Sequence, residues 1–270
     1  MTKPSNPKTL TPHMKKFLTA AVASVALSSG AFAQTNAFDF GANYGGVGEP
    51  GWTNGANAGF GFGAWTISDN NNGTTIFAGN FIGNPADAGV SGMSVESFGL
   101  YANPAASGAF INASRSLNTA LQVGETFSFQ WGINWDGGNG SFGNKGFNLN
   151  VGGTQVVNVN NGGNSDIQFN SINTGMNFGT QVMTWSFTYT NASTLSVIGT
   201  ARDGGASFTT NITVTGGISS FELYASDMAG DTQRQPYFND FQVVPEPSTY
   251  ALLALSGIAF GGYVIRRRRR

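Results

Sequence analysis

The chain has 270 residues, with 13 basic and 14 acidic side chains, one histidine and no cysteine. Nine of the cations lie near the two ends, so the central body keeps four cations against 14 carboxylates, a net charge of about −10. This charge disfavours nucleic acid as a partner, and divalent cations or neutral polymers fit it better. The missing cysteines and the single histidine, His13, exclude disulfides, Cys-His dyads, Ser-His-Asp triads and histidine-ligated metals in the body.

Residues 1–33 have the three parts of a secretory signal peptide. Lys15 and Lys16 form a basic start, residues 17–27 form an apolar run, and Ala31 and Ala33 form a small-x-small cleavage site. Cleavage there makes Gln34 the first residue of the mature protein. The polar segment 1–13 leaves two alternatives open: Met14 is the true initiator, or the segment is an extended n-region.

Apolar alternation with a period of two predicts β-strands in the body. The clearest runs are 127–135 and 183–189, and Gly152-Gly153 predicts a two-residue hairpin between two others. The other predicted strands are residues 62–67, 94–101, 109–112, 147–151, 154–159, 167–172, 195–201, 208–214, 218–224 and 237–244. Residues 34–92 have fewer alternating runs, which predicts either edge strands with long loops or a loosely ordered entry segment.

Many short strands separated by Gly- and Asn-rich turns predict an all-β fold, an antiparallel β-sandwich of the jelly-roll or lectin-like type. We expect one sandwich domain at residues 34–244. An N-terminal signal peptide precedes it, and a C-terminal transmembrane helix follows it.

A predicted loop after the strongest strand is the best candidate for a ligand site. It carries Trp135, Asp136, Lys145 and Asn148, interrupted by glycines. Aromatic rings stack on sugar faces while polar side chains bond sugar hydroxyls, so these four residues are candidate glycan ligands. The alternative is that Trp131 and Trp135 are core residues, because they have the same parity as Phe127.

No cofactor is expected, and calcium is the metal that the body could bind through carboxylates. Asp227 and Asp231 fall in one predicted loop, and Asp240 lies in the strand that follows. The alternative is a solvated acidic loop, because the sequence contains no EF-hand or nonapeptide spacing.

Glycoside hydrolysis needs two carboxylates on either side of a cleft. Glu49, Glu96, Glu125 and Glu222 are scattered, and no Glu-x-Asp-x-x-Glu strand motif is present. We therefore expect a body that is not an enzyme. A secreted polysaccharide hydrolase with a sandwich fold is the alternative.

Residues 245–270 combine three features in a fixed order. Pro245 and Pro247 hold the chain extended around Glu246. Residues 249–265 are 17 uncharged residues, which as a helix would reach about 26 Å, just short of a hydrocarbon core of roughly 30 Å. The chain ends in five membrane-stop arginines that the positive-inside rule keeps cytoplasmic: Arg266, Arg267, Arg268, Arg269 and Arg270.

This order of motif, span and arginine cluster resembles the PEP-CTERM sorting signal of exported proteins of Gram-negative bacteria. The resemblance covers the tail alone. It implies that an exosortase-type membrane protease recognises Pro245, Glu246 and Pro247 and processes the chain nearby, at a bond that the resemblance does not specify.

The same resemblance implies a location and a setting. It implies an intermediate anchored in the inner membrane, followed by display on the cell surface or release into the extracellular matrix. Proteins with such a tail are associated with exopolysaccharide and biofilm. We therefore expect an exported cell-envelope or matrix protein whose non-catalytic sandwich binds glycan, with exopolysaccharide as a candidate partner.

Overall fold

The computed structural model describes residues 35–49, 51–134, 143–162, 166–177, 179, 182–201, 207–230 and 232–245. Residues Thr35–Pro245 belong to one compact unit. Within the described ranges the chain forms two antiparallel sheets and three short 3₁₀ helices, Gly41–Tyr44, Pro85–Ala88 and Thr232–Arg234. The predicted antiparallel β-sandwich is therefore confirmed.

The larger sheet contains eight strands: β1 (Ala37–Asp39), β3 (Phe77–Gly83), β4 (Ser97–Asn103), β6 (Glu125–Gly132), β11 (Val182–Asn191), β12 (Thr194–Ala201), β13 (Ser207–Thr213) and β15 (Tyr237–Pro245). Their order is β13-β12-β11-β6-β15-β4-β3, and β1 pairs with β15. The last strand of the body thus lies inside the sheet, between β6 and β4.

The smaller sheet contains seven strands: β2 (Thr66–Asp69), β5 (Phe110–Ser116), β7 (Asn144–Val151), β8 (Thr154–Asn161), β9 (Asp166–Phe169), β10 (Ile172–Asn177) and β14 (Ser220–Ser226). Their order is β10-β9-β8-β7-β14-β5-β2. Strands β2 and β3 each form one edge of their sheets, and β10 and β13 form the opposite edges. This agrees with the edge-strand alternative for residues 34–92.

Turn residues explain one strand prediction that succeeds and one that is wrong. Gly152 and Gly153 both have positive φ, 55° and 84°, and join β7 to β8 as the predicted hairpin. The single strand predicted at 167–172 is instead two strands. Asn170 and Ser171 have φ of 47° and 67° and form a two-residue turn between β9 and β10.

Aromatic side chains from the inner faces of both sheets fill the core. Phe127, Phe129 and Trp131 of β6 are at most 1% exposed, which confirms the core interpretation for Trp131. The rings of Phe129 and Phe147 meet edge-on across the sandwich, with centroids 4.7 Å apart. Phe127 contacts Phe221 of the opposite sheet at 5.3 Å. This packing is what holds the two sheets face to face.

An ion pair lies inside the sandwich. Arg115 of β5 and Asp39 of β1 are 2% and 1% exposed, and the guanidinium Nη1 donates to the carboxylate Oδ2. Asp39 also accepts a hydrogen bond from Tyr44 Oη at 2.8 Å. The pair connects the first strand of the larger sheet to the smaller sheet.

Burial of Tyr237 predicts a loss of stability at high pH. Burial raises the pKa of this phenol to about 12, and the negative charge of Asp87 adds to the effect. The unfolded side chain titrates near pH 10, so the stability from the neutral phenol is complete below pH 10 and is lost as pH rises towards 12. We expect Tyr237 alone to lower the free energy of unfolding by about 2 kcal/mol across this window.

Urea unfolding at several pH values between neutral and strongly alkaline measures this effect. Tyr237→Phe is the matched control, because it keeps the ring and removes the titrating group. The variant should lose less stability than the wild type above pH 10. Equal losses in the two proteins would contradict the assignment to Tyr237.

None of the helices in the described ranges has both the length and the apolar character of a membrane span. The predicted signal peptide and the predicted span at 249–265 lie outside these ranges.

Candidate functional site

The outward face of the smaller sheet carries an open groove of about 510 Å³. Amide side chains from three adjacent strands line it, Asn144 of β7, Asn158 and Asn160 of β8, and Gln168 of β9. Tyr224 of β14 and two serines, Ser171 and Ser226, complete the lining. Ligand sites usually combine an apolar lining with a few fixed polar groups, whereas this groove is lined mainly by polar side chains and therefore suits a polar ligand.

Strand register brings these side chains together. Asn160 is opposite Gly146, and Gly146 is opposite Tyr224, so the three positions form one row across β8, β7 and β14. A Cβ atom at Gly146 would lie 2.9 Å from Tyr224 Oη and 1.9 Å from the carbonyl oxygen of Val159. The glycine therefore leaves the space that the tyrosine hydroxyl occupies between the asparagines.

The Tyr224 hydroxyl is the centre of a hydrogen-bond network. It accepts from Asn158 Nδ2 at 2.8 Å and from Asn160 Nδ2 at 2.9 Å, and it donates to the carbonyl oxygen of Val159 at 3.3 Å. Burial raises the pKa of Tyr224, against the lowering effect of the two asparagine bonds. The hydroxyl therefore stays protonated and keeps the groove uncharged at this point.

The network continues beyond the groove to Glu222. Asn158 Nδ2 donates to Asn148 Oδ1 at 2.8 Å, and Asn148 Nδ2 donates to Glu222 Oε1 at 2.9 Å. Asn160 Nδ2 also donates to Asn144 Oδ1 at 3.2 Å. These bonds fix the side-chain rotamers before any ligand arrives, which lowers the entropy cost of binding.

The fixed network leaves acceptors for a ligand. The bonds around Tyr224 use the amide nitrogens of Asn158 and Asn160, and no hydrogen bond among the described residues uses their Oδ1 atoms. Both side chains are partly exposed. They can accept hydrogen bonds from hydroxyl groups without breaking the network.

Of the two predicted ligand residues that the structure describes, it brings one to this site. Asn148 belongs to the network, although it lies in strand β7 and not in the predicted loop. The loop prediction is also wrong for Lys145, because it occupies β7, has the same parity as Phe147 and is 1% exposed. Its side chain therefore lies on the opposite face from Asn148. Trp135 and Asp136 lie outside the described residues.

Sequence reasoning missed most of the groove although a signal was present. Asn144 and Asn148 alternate with inward-facing residues on β7, and Asn158 and Asn160 do so on β8. The predicted Gly152-Gly153 hairpin alone would place Asn148 opposite Val157. A register shift between Leu149 and Asn150, which was not predicted from the sequence, moves its partner to Asn158. The positions of Tyr224 and Gln168 depend on non-local pairing, which no local pattern indicates.

The carboxylates considered for calcium are separated where the structure describes them. Asp227 Oδ1 accepts from the backbone N–H groups of Gly108 and Ala109, at 2.6 and 3.1 Å. Asp240 is exposed on β15 of the other sheet, and Asp231 lies outside the described residues. Among the described residues no group of three acidic or histidine side chains is placed to share a metal ion. Calcium binding stays a prediction.

The processing residues lie at or beyond the limits of the described chain. Pro245 is the last residue of β15 and is opposite Glu125 of β6. Glu246, Pro247 and the five arginines lie outside the described ranges, as do Ala31, Ala33 and Gln34. The strand therefore continues directly into the predicted sorting motif.

Comparison with known families identifies the tail. Residues 243–270 match the PEP-CTERM protein-sorting motif, which confirms the resemblance seen in the sequence. This motif marks an exported protein that is processed at the membrane, and it is a substrate signal for exosortase. No curated protein sequence matches the chain.

Solved structures with a similar arrangement come from several proteins. The chain is similar to lectin II from Ulex europaeus, with 11% identity, a TM-score of 0.39 and coverage of 67% of this chain and 98% of that chain. It is also similar to the botulinum neurotoxin serotype D binding domain, with 10% identity, a TM-score of 0.42 and coverage of 83% and 51%. The chain is similar as well to the T. cruzi calreticulin globular domain, with 10% identity, a TM-score of 0.39 and coverage of 76% of this chain and 95% of that chain. A likeness at this level assigns no function to the chain.

Proposed function

We propose that this chain, whose tail carries the PEP-CTERM sorting motif, is a cell-envelope or matrix protein whose sandwich binds glycan without cleaving it. The amide groove on the smaller sheet is the observation that carries the binding proposal. Its hydrogen-bonding groups are neutral and fixed in position by the bonds around Tyr224. Neutral amides and hydroxyls are suited to sugar hydroxyls, which both donate and accept.

The sorting proposal adds the partner and the route. An exosortase-type protease recognises Pro245, Glu246 and Pro247 while residues 249–265 anchor the chain in the inner membrane. Processing then leaves the sandwich on the cell surface or in the extracellular matrix. Exopolysaccharide is the glycan available in that setting, and it is the proposed partner of the groove.

Binding is favoured over hydrolysis by the kind of side chain at the groove. Hydrolysis requires two carboxyl groups facing the same glycosidic bond. The described residues that line the groove are amides, serines and a tyrosine. The neighbouring Glu222 accepts a hydrogen bond from Asn148, which favours a positioning role for it. We therefore propose no catalytic residue.

Replacement of groove residues tests the binding proposal. Asn160→Ala and Tyr224→Phe should each weaken binding to a neutral polysaccharide about tenfold, because each removes part of the fixed polar network. Affinity is measured by isothermal titration calorimetry, using the neutral polymer that gives the strongest signal on a glycan array. Asn211→Ala is the matched control, since Asn211 is exposed on β13 of the other sheet.

Two results would contradict this proposal. The array could give no signal with any neutral polymer, or the two groove variants could bind as tightly as the Asn211→Ala control. Thermal unfolding of each variant verifies that the fold is intact. Release of reducing sugar from a bound polymer would favour the hydrolase alternative.

A further inference from the structure

An exposed aromatic ring lies beside the amide groove. Phe110 of β5 is 37% exposed on the outward face of the smaller sheet, where it alternates with the buried Ile111. Its register partner on β14 is Ser226, which lines the groove. A solvated aromatic side chain on a polar strand face is a stacking surface for the apolar face of a sugar ring.

Outward-facing, mostly polar positions continue from the groove across six of the seven strands of the sheet. Starting at Gln168 of β9, the register partners on successive strands are Asn160, Gly146, Tyr224, Asn112 and Ser68. A second row contains Asn158, Asn148, Glu222, Ser114 and Thr66. Six neighbouring strands span about 24 Å at roughly 4.8 Å per strand, which is long enough for several linked sugars.

The described surface has no basic side chain to offer an acidic polymer. Within the described ranges Lys and Arg occur as Arg115, Lys145 and Arg234, which are 2%, 1% and 8% exposed. Glu222 lies in the second polar row and adds a negative charge to this face. A polymer bearing carboxylates or sulfates would meet repulsion from Glu222, and no described cation is exposed on this face to pair with it.

From these observations we infer that the ligand is an uncharged polysaccharide chain that crosses the strands of the smaller sheet, from the amide groove to a stacking platform at Phe110. The inference rests on the proposed function, since it starts from the groove. It adds the direction in which the polysaccharide crosses the sheet, a second contact region at Phe110 and the absence of charge on the ligand.

Length and charge of the probe test the inference directly. Neutral disaccharides and hexasaccharides of the same β-glucan, together with polygalacturonate, are titrated against the purified protein. We expect Phe110→Ala to weaken hexasaccharide binding about tenfold and to leave disaccharide binding unchanged. Tyr224→Phe should weaken both. Polygalacturonate should not bind. Phe77→Ala is the matched control, because Phe77 is 46% exposed on β3 of the other sheet.

The outcomes separate this inference from the proposed function. Suppose that Tyr224→Phe loses affinity while Phe110→Ala binds the hexasaccharide with the same affinity as Phe77→Ala. The groove is then a glycan site, but the inference that the ligand extends to Phe110 is wrong. If polygalacturonate binds as tightly as the neutral glucan, the inference that the ligand is uncharged is wrong. If Tyr224→Phe leaves the binding of both oligosaccharides unchanged, the proposed function itself fails, whatever Phe110→Ala does.

Discussion

Replacing Arg115 by leucine is expected to lower the free energy of unfolding by about 3–5 kcal/mol. The change leaves the Asp39 carboxylate inside the sandwich without its counter-charge. It also removes the bonds from Nη2 to Asn57 Oδ1 at 2.7 Å and to the carbonyl oxygen of Ala58 at 2.8 Å. The guanidinium further lies 5.4 Å from the Trp65 ring, so the variant loses a cation–π contact as well.

A double variant separates the unpaired charge from lost packing. Arg115→Leu combined with Asp39→Leu removes both charges, and it should recover much of the stability, since apolar pairs can replace buried ion pairs. Urea unfolding of the two variants and the wild type gives the comparison.

Burial raises the pKa of Asp39, while the hydrogen bond from Asn43 and the charge of Arg115 lower it. Without the arginine this pKa rises further, so the single variant should recover some stability at low pH. A single-variant cost below about 1 kcal/mol would contradict this account.

Replacing Glu246 by glutamine is expected to stop processing of the tail. In the native host the wild-type protein should lack its arginine cluster, because the motif match at 243–270 marks a chain that is processed at the membrane. The variant removes one of the three recognition residues, so its chain should keep Arg270 and stay in the membrane fraction. Mass spectrometry of the C-terminal peptide measures the result.

The control for this experiment is Glu49, an exposed carboxylate of the body. Glu49→Gln changes the net charge by the same amount, and its position is in the sandwich and far from the tail in sequence. It should be processed like the wild type. Recovery of wild-type protein that still ends at Arg270 would show that no exosortase acts on this chain.

The sheet architecture was predictable because its signals are local. Phe127, Phe129 and Trp131 repeat with the two-residue period of a half-buried strand, and Gly152-Gly153 can adopt the positive φ that a tight hairpin needs. The sorting tail was predictable for the same reason, since its three parts follow one another within 26 residues.

The candidate site was less predictable because it depends on pairing between distant segments. Tyr224 meets Asn158 and Asn160 only after β14 pairs with β7. The local signals for Lys145 disagreed: its charge favoured a loop, whereas its parity with Phe147 favoured the inward-facing strand position that it occupies. Asn-Ser at 170–171 was missed as a turn because neither residue is glycine, although both adopt positive φ.

The position of β15 determines when this protein can finish folding. Its C-terminal half pairs with both β1 and β6, and Val243 accepts a hydrogen bond from the backbone of Asn36 at 2.7 Å. A polypeptide made and exported from its amino end delivers this segment last. The eight-stranded layer therefore stays split into two halves until the ribosome and the export channel have released almost the entire body. During that interval the net negative charge of the body, about −10, opposes aggregation of the two halves.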